Sequence, residues 1–414
     1  MPQRRSRAGL LTATLAAASL NLHAAEWLAE PSVTARLEYN DNIRLLPVAQ
    51  DDVWGAILDP RLKLSRRSPL WDMIANGRLR ASEYQGQDGL NTVDNFFDAQ
   101  LTRRFERGSF AASAGVINDT TLQNESLDLD TGLSIRQIDR SQQTLNLVAR
   151  HQFTQSTSVE ASAGYGKVDY DDGARYGYYG YTYLVPKLRL IHQYTPKTQF
   201  FADVSHTQVE YDRSDELESK TDALQIGAAY DITETWQIRG SAGSRRTRTQ
   251  QLVPIAVPIP GFEAFFPFIY AVEGVSRESE TTGLVYDAAL TRRFETGRLS
   301  LNTSRSIQPS SYSTDTSTTT VNLEGERRLS AKLSTHLAVN YLQSESVDSN
   351  LGLYRRDSLR IVPRLSWRLD RDLTLGAGYA YTRVKRGSSG DVTADSNAVF
   401  ASLSYSWPRL AVSR

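Results

Sequence analysis

The chain of 414 residues contains no cysteine, so no disulfide can brace it. A secreted protein of this length without disulfides has to be stable through its own architecture. Its 47 basic and 47 acidic residues balance, which does not favour nucleic-acid binding, since that function calls for a strongly basic domain. After the first 25 residues, no apolar run is long enough to form a membrane-spanning helix.

The first residues show the three-part pattern of a secretory signal peptide. Three arginines precede an apolar stretch that ends at the small pair Ala24-Ala25. A membrane anchor is the alternative, but it needs about 20 apolar residues, and this run is shorter and interrupted by polar residues. We therefore expect residues 1–24 to be cleaved, leaving 25–414 as one domain with 44 basic and 47 acidic residues.

Apolar and polar residues alternate with period two through the rest of the chain. Near its start, Val33, Ala35 and Leu37 alternate with Thr34 and Arg36. This pattern is typical of β-strands with one apolar and one polar face. The chain also has 20 Tyr, 13 Phe and 6 Trp, many of them at the ends of predicted strands, where the aromatic girdles of membrane barrels lie.

Tight turns and long polar segments occur in alternation along the chain. A soluble propeller would instead repeat every four strands, and a soluble sandwich would need no aromatic girdle. The pattern predicts an all-β, up-and-down antiparallel transmembrane barrel of about 18 strands, with short periplasmic turns and long extracellular loops. Sixteen strands is the alternative, because the region 119–141 is ambiguous. Pro60, Pro186 and Pro363 fall inside predicted strands, where proline is poorly tolerated.

Two stretches near the start carry a resemblance to a known family. Leu37-Glu-Tyr-Asn-Asp-Asn-Ile-Arg-Leu45 and Leu58-Asp-Pro-Arg-Leu-Lys-Leu64 resemble the β-barrel porin type 2 family. Related outer-membrane barrels are often associated with exopolysaccharide or exosortase systems. The likeness covers most of the chain in pattern but few specific residues. It implies a porin, or a part in exopolysaccharide export, in the outer membrane of a Gram-negative bacterium.

The polar phase of the strands is expected to line the lumen. One hypothesis is an arginine ladder that attracts anionic solutes or acidic polysaccharide. The other is that the arginines pair with inward carboxylates such as Glu38, Asp72 and Asp203, and so only brace the wall. The arginines that we take as candidate lumen and solute-binding residues are Arg36, Arg78, Arg80, Arg104, Arg150, Arg239, Arg245, Arg360, Arg364 and Arg368.

The segment 252–270 is the longest predicted loop, and it is strongly apolar. Its prolines exclude a regular helix, and an apolar segment of this size should be buried somewhere. We expect it to fold into the lumen as a constriction; the alternatives are a cap over neighbouring loops or a position in the outer leaflet. Its candidate constriction residues are Pro254, Pro258, Pro260, Phe262, Phe265, Phe266 and Phe268.

The sequence shows no catalytic or metal-binding pattern. The histidines after the signal peptide, His151, His192, His206 and His336, lie in no nucleophile motif and have no zinc-like spacing. We therefore expect no enzymatic activity, no metal and no cofactor.

The sequence predicts a porin-like conduit for polar or anionic solutes, with exopolysaccharide export as its extension. The alternatives are an outer-membrane enzyme acting on lipid or surface glycan, and a non-conducting structural or assembly barrel. The expected partners are outer-membrane lipid and lipopolysaccharide, the machinery that assembles such barrels, and polysaccharide export or synthesis proteins. Nucleic acid is not expected.

Overall fold

The computed structural model describes residues 27–49, 52–86, 88–122, 136–213, 217–258, 270–312, 314–347, 355–387 and 392–412. The predicted signal peptide lies outside these residues and stays a prediction. Two single-turn 3-10 helices, Asp88–Leu90 and Gly173–Tyr176, are the helices of the described residues. Neither these nor any other helix in the described part is long and apolar enough to cross a membrane.

Antiparallel strands form one closed sheet. β1 pairs with β2 on one side and with β18 on the other, and the three-residue β19 continues the pairing of β18. The predicted 18-strand antiparallel barrel is therefore confirmed. The strands are β1 Trp27–Asn40, β2 Val53–Arg67, β3 Trp71–Tyr84, β4 Thr92–Phe105, β5 Gly108–Thr120, β6 Asp139–Gln152, β7 Thr157–Tyr170, β8 Tyr181–Thr195, β9 Thr198–Tyr211, β10 Glu218–Asp231, β11 Trp236–Pro258, β12 Tyr270–Phe294, β13 Gly297–Ser310, β14 Thr314–Arg328, β15 Leu333–Ser346, β16 Arg355–Arg368, β17 Leu373–Gly387, β18 Val392–Ser406 and β19 Leu410–Val412.

Alternation gives the wall two different faces. In β2, Trp54 and Leu58 are 61% and 51% exposed on the outer face, while Val53 and Asp59 are 2% and 5% exposed on the inner face. Short turns such as 68–70 and 106–107 join the strands at one end, here named the short-turn end. The other, long-loop end carries small apolar clusters on its inner face, such as Val53 with Tyr84, Leu90 and Leu122. The inner face is therefore not uniformly polar.

The three prolines that conflicted with the predicted strands lie in strands. Pro60, Pro186 and Pro363 each pair fully with one neighbouring strand. On the other side the ladder omits two residues at the proline and then continues without a change of register. Because proline lacks the N–H that this side would need, a local gap in the ladder accommodates each proline.

Aromatic rings on the inner face lie over glycines of the neighbouring strand. Phe400 pairs with Gly378, and a Cβ on that glycine would lie 2.3 Å from the Phe400 Cζ atom. Phe201 lies over Gly227 in the same way, at 2.4 Å. A ring that covers a cross-strand glycine shields its backbone and lies flat on the wall. These glycines therefore keep the rings out of the lumen.

Candidate functional site

The wall separates between β12 and β13 at the long-loop end. The two strands pair from Phe294 and Gly297 up to Tyr286 and Arg305. Beyond this row, β13 continues to pair with β14 as far as Ser310, and β14 pairs with β15 from Thr316. The upper part of the β13–β14 hairpin therefore leaves β12 while it stays joined to the strands that follow it.

This upper part, residues 306–312 and 314–318, is named the inner hairpin. Its Asp315 accepts hydrogen bonds from the Tyr211 hydroxyl, at 2.8 Å, and from the Ser219 hydroxyl. Both donors lie on the inner-face phase of β9 and β10, and four strands separate β9 from β14 in the wall. Asp315 can reach them only if the hairpin lies inside the barrel.

The phase of the strands shows which face of the inner hairpin makes these contacts. In β13, Leu299 and Leu301 face outward, and Arg305 shares their phase. Asp315 and Ser317 share the corresponding phase of β14, and the Arg305 Nε donates to the Ser317 hydroxyl at 3.2 Å. The outer face of the hairpin thus packs against the inner face of β9–β11, forming a second layer inside the wall.

A loop also holds the tip of the inner hairpin. The Tyr179 N–H donates to the Ser311 carbonyl at 2.7 Å, and the rings of Tyr178 and Tyr312 lie 5.3 Å apart. Tyr178 is only 5% exposed. The hairpin is therefore fixed both along its side and at its tip, and it narrows the lumen at the long-loop end.

The sequence contains a signal for this hairpin. We overlooked that signal when we expected the constriction at 252–270. The run Thr314-Asp-Thr-Ser-Thr-Thr-Thr320 is polar on both phases, whereas the residues opposite it keep Ile307 and Pro309 on the outer phase. Strands that face lipid need one apolar phase. The loss of this phase in 314–320 therefore indicates that β14 does not face lipid there. Thr316 and Thr318, on the opposite phase from Asp315, are each 1% exposed.

The segment expected to constrict the lumen has a different structure where it is described. Residues 252–258 belong to β11 and pair with 270–276 of β12, so treating them as loop was wrong. The neighbouring β10 pairs with β11 only as far as Gln250. Pro254 and Pro258 thus lie in a two-stranded ribbon, and their side chains are outside the described part. Pro260, Phe262, Phe265, Phe266 and Phe268 lie wholly outside the described residues.

All ten candidate arginines lie on the inner-face phase of their strands, though their solute-binding role stays a prediction. Some are paired with carboxylates: Arg36 with Glu38 at 2.6 Å, Arg78 with Asp59 at 2.6 Å, and Arg104 with Asp72. Arg150 donates to the Ser158 hydroxyl at 3.1 Å, and Arg245 to the Thr247 hydroxyl at 3.0 Å. Arg80 is 6% exposed, and Arg360, Arg364 and Arg368 follow one another on β16.

Two aromatic rings bring further arginines together. Arg36 and Arg364 stack on Phe400 at 4.0 and 5.4 Å from the ring centre. Arg189 and Arg239 do the same on Phe201, at 5.0 and 4.7 Å. Cation–π contacts hold a guanidinium in place without neutralising it. Arg36 and Arg189 are also paired with Glu38 and Asp203, so a ring and a carboxylate together hold each of these two guanidinium groups. Attraction of anionic solutes by the arginines stays a prediction.

The inner face also carries carboxylates that are shared between two cations. Asp203, 3% exposed, contacts Arg189 at 2.5 Å and Lys187 at 3.4 Å. Asp59 is likewise shared by Arg61 and Arg78. At Asp203, one carboxylate thus faces two cations, which leaves an excess of positive charge there. We missed Lys187, Arg189 and Phe201 as candidate residues, although their phase could have identified them.

The histidines do not assemble into a recognisable catalytic group in the described part. His206 contacts Asp222 at 2.7 Å, but both side chains lie on the outer-face phase of their strands. His192 contacts the Thr157 hydroxyl at 3.1 Å near a short turn. Within the described ranges, no three His, Cys, Asp or Glu residues are grouped so that they could hold a metal ion.

Comparisons with known proteins give similar barrels among solved structures. The outer membrane protein opdK of Pseudomonas aeruginosa has a TM-score of 0.44 and 11% identity, over 92% of this chain and 99% of that one. The ferric-catecholate import receptor Fiu of E. coli K12 has a TM-score of 0.45 and 10% identity, over 91% and 81%. The FrpB iron transporter of Neisseria meningitidis has a TM-score of 0.44 and 8% identity, over 91% and 82%.

No family model and no curated protein matches the sequence. The resemblance to the β-barrel porin type 2 family therefore stays a prediction.

Proposed function

We propose that the chain spans an outer membrane as a porin-like conduit for polar and anionic solutes, and that the inner hairpin is its constriction. The apolar outer face supports the membrane position: Leu37, Ile226 and Val399 are 63%, 68% and 57% exposed there and would contact lipid. The charged inner face supports passage of polar solutes, because charged side chains at a constriction select among ions.

The inner hairpin is the observation that carries the proposal. Its outer phase holds Asp315 and Ser317, and Asp315 accepts hydrogen bonds from the Tyr211 hydroxyl of β9 and the Ser219 hydroxyl of β10. These hydrogen bonds hold the hairpin inside the barrel, where it narrows the path of a solute.

Planar-bilayer recording of the purified protein tests this function. The wild-type barrel is expected to give stepwise currents. Replacing Asp315→Ala removes the acceptor of the Tyr211 and Ser219 hydroxyls, so the hairpin should loosen and the conductance should rise or fluctuate more. Asp52→Ala, an exposed loop carboxylate, is the matched control and should leave the currents unchanged. A folded barrel that gives no current, or an Asp315 variant that behaves like wild type, would contradict the proposal.

The finer expectations remain secondary proposals. Export of exopolysaccharide rests only on the sequence resemblance. Contacts with lipopolysaccharide, with the barrel-assembly machinery and with polysaccharide export or synthesis proteins follow from an outer-membrane location and have no separate observation behind them. The enzymatic alternative lacks an inward-facing group of catalytic residues among those described.

A further inference from the structure

A cavity of about 770 Å³ lies against the inner face of β1–β4 at the short-turn end. The turn that holds Arg371 and the segment 406–409 close it on one side. Its lining includes five cationic side chains and three carboxylates, so it is electropositive. The cations are Arg61, Lys63, Arg78, Arg371 and Arg409, and the carboxylates are Glu30, Asp98 and Asp372.

Two cations converge on one carboxylate in this cavity. Glu30 contacts the Lys63 Nζ at 3.0 Å and the Arg409 Nε at 2.6 Å. Behind them, Asp59 contacts Arg61 at 2.8 Å and Arg78 at 2.6 Å. Each carboxylate therefore contacts and orients two cations. Asp98 is engaged by the Asn76 amide, at 2.7 Å.

A bulge places Arg409 in the cavity. Between β18 and β19, residues 407–409 lie opposite only two residues of β1, since Ser406 pairs with Ser32 and Leu410 with Ala29. The Trp407 N–H donates to the Pro31 carbonyl at 3.1 Å. An extra residue in one strand re-aims the side chains beside it. The C-terminal strand thus supplies a cation that a regular ladder would not.

The cations differ in how far a solute could reach them. The side chains of Arg61, Lys63 and Arg409 are 51%, 48% and 73% exposed, whereas Arg78 is 21% exposed and lies 4.8 Å from the Phe96 ring centre. Arg78 is therefore a positioning residue that keeps Asp59 in place. The other three present donors to the cavity.

We propose that this cavity is a binding subsite for the carboxylate of a small organic anion. Guanidinium groups bind carboxylates through two parallel hydrogen bonds, and an adjacent ammonium adds a point charge. The subsite deepens the proposed function by naming a solute class, because an anion that passes the inner hairpin meets these cations before it leaves the barrel. A uronic acid and an aliphatic dicarboxylate share this chemistry.

Calorimetric titration of the folded barrel in detergent tests the subsite. The probes are galacturonate and succinate, and galactose is the uncharged counterpart of galacturonate. Galacturonate, succinate or both should bind, and galactose should not. The double variant Arg61→Gln/Lys63→Gln should weaken this binding at least tenfold. It leaves Arg78 on Asp59 and Arg409 on Glu30, so no carboxylate loses its last cation and the barrel should still fold.

The matched control lies outside the lumen. On the outer-face phase of β11, Arg246 contacts Glu280 at 2.5 Å and Arg248 contacts it at 3.6 Å. The substitution Arg246→Gln therefore removes one of two cations that share a carboxylate, and it leaves the cavity unchanged. This variant should bind both acids as the wild type does. Equal affinity of the double variant and the wild type, or galactose binding as tight as galacturonate, would overturn the subsite.

This test does not depend on conductance. A conducting barrel that binds neither acid overturns the subsite alone, whereas a barrel that binds but carries no current contradicts the conduit and leaves the subsite.

Discussion

At the scale of single residues, the packing of the inner face depends on glycines, which have no side chain. Phe400 lies over Gly378 while Arg36 and Arg364 stack on its ring. The three side chains come from β1, β16 and β18, so the ring joins strands on both sides of the closure. Such a group is sensitive to one added methyl, because the ring cannot move without losing an arginine.

Gly378→Ala is expected to destabilise the folded barrel by about 1–3 kcal/mol, the usual cost of overpacking. The new Cβ would lie 2.3 Å from the Phe400 Cζ atom. The midpoint of urea unfolding in detergent measures the effect. Gly77→Ala is the control, since nothing lies within 4 Å of a Cβ there. If both variants unfold at the wild-type midpoint, the ring does not depend on the glycine.

The sequence could predict the faces of these residues but not their contacts. Alternation is sufficient to place Arg36 and Arg364 on the inner face, because the phase of a strand is a local property. Their meeting on Phe400 depends on the register across β1, β18, β17 and β16, which no local pattern contains. The same holds for Asp315: its partner Tyr211 is 104 residues away in sequence, and four strands separate β9 from β14 in the wall.

At the scale of elements, the longest predicted loop and the inner hairpin are different parts of the chain. The apolar composition of 252–270 suggested burial in the lumen, but the described part of β11 and β12 forms a paired ribbon. Residues 274–278 are exposed on both phases, as expected for a ribbon surrounded by solvent. The inner hairpin, which has a three-residue connection, lies inside the barrel. The loss of alternation in 314–320 was the informative signal for it, while the constriction at 252–270 stays a prediction.

Removing residues 253–275 and joining Leu252 to Ser276 through Asn-Gly is expected to leave the single-channel conductance unchanged. The two joined residues are already paired, so a two-residue turn fits them. Bilayer recordings of this deletion, beside those of the Asp315 variant, separate the two candidate constrictions. A rise in conductance on deletion would show that the apolar segment forms the constriction.

At the scale of the whole molecule, the strand number and the closure were predictable because turn spacing and alternation repeat along the chain. The prolines inside the strands were the main conflict with this prediction. The strand ladders accommodate them by omitting residue pairs on one side. The charge of the lumen could not be predicted from the neutral total. It depends on which carboxylates face inward and on how many cations share each of them.

The barrel is expected to prefer anions, and this preference should fade as salt increases. Asp203 is shared by Arg189 and Lys187, which leaves positive charge on the inner face. The screening length falls from about 10 Å at 0.1 M salt to about 3 Å at 1 M. Reversal potentials in KCl gradients should therefore indicate anion selectivity at low salt and less of it at high salt. Cation selectivity at low salt would show that the inner face carries no excess of positive charge.

The second layer also makes the barrel's interior eccentric. Packed sheets lie about 10 Å apart, so the inner hairpin displaces the free space away from β9–β11 and toward the opposite wall. A solute entering from the long-loop end is thus directed along the side formed by β1–β4. The electropositive cavity lies on that side at the far end, so an off-centre route and a one-sided charge distribution coincide.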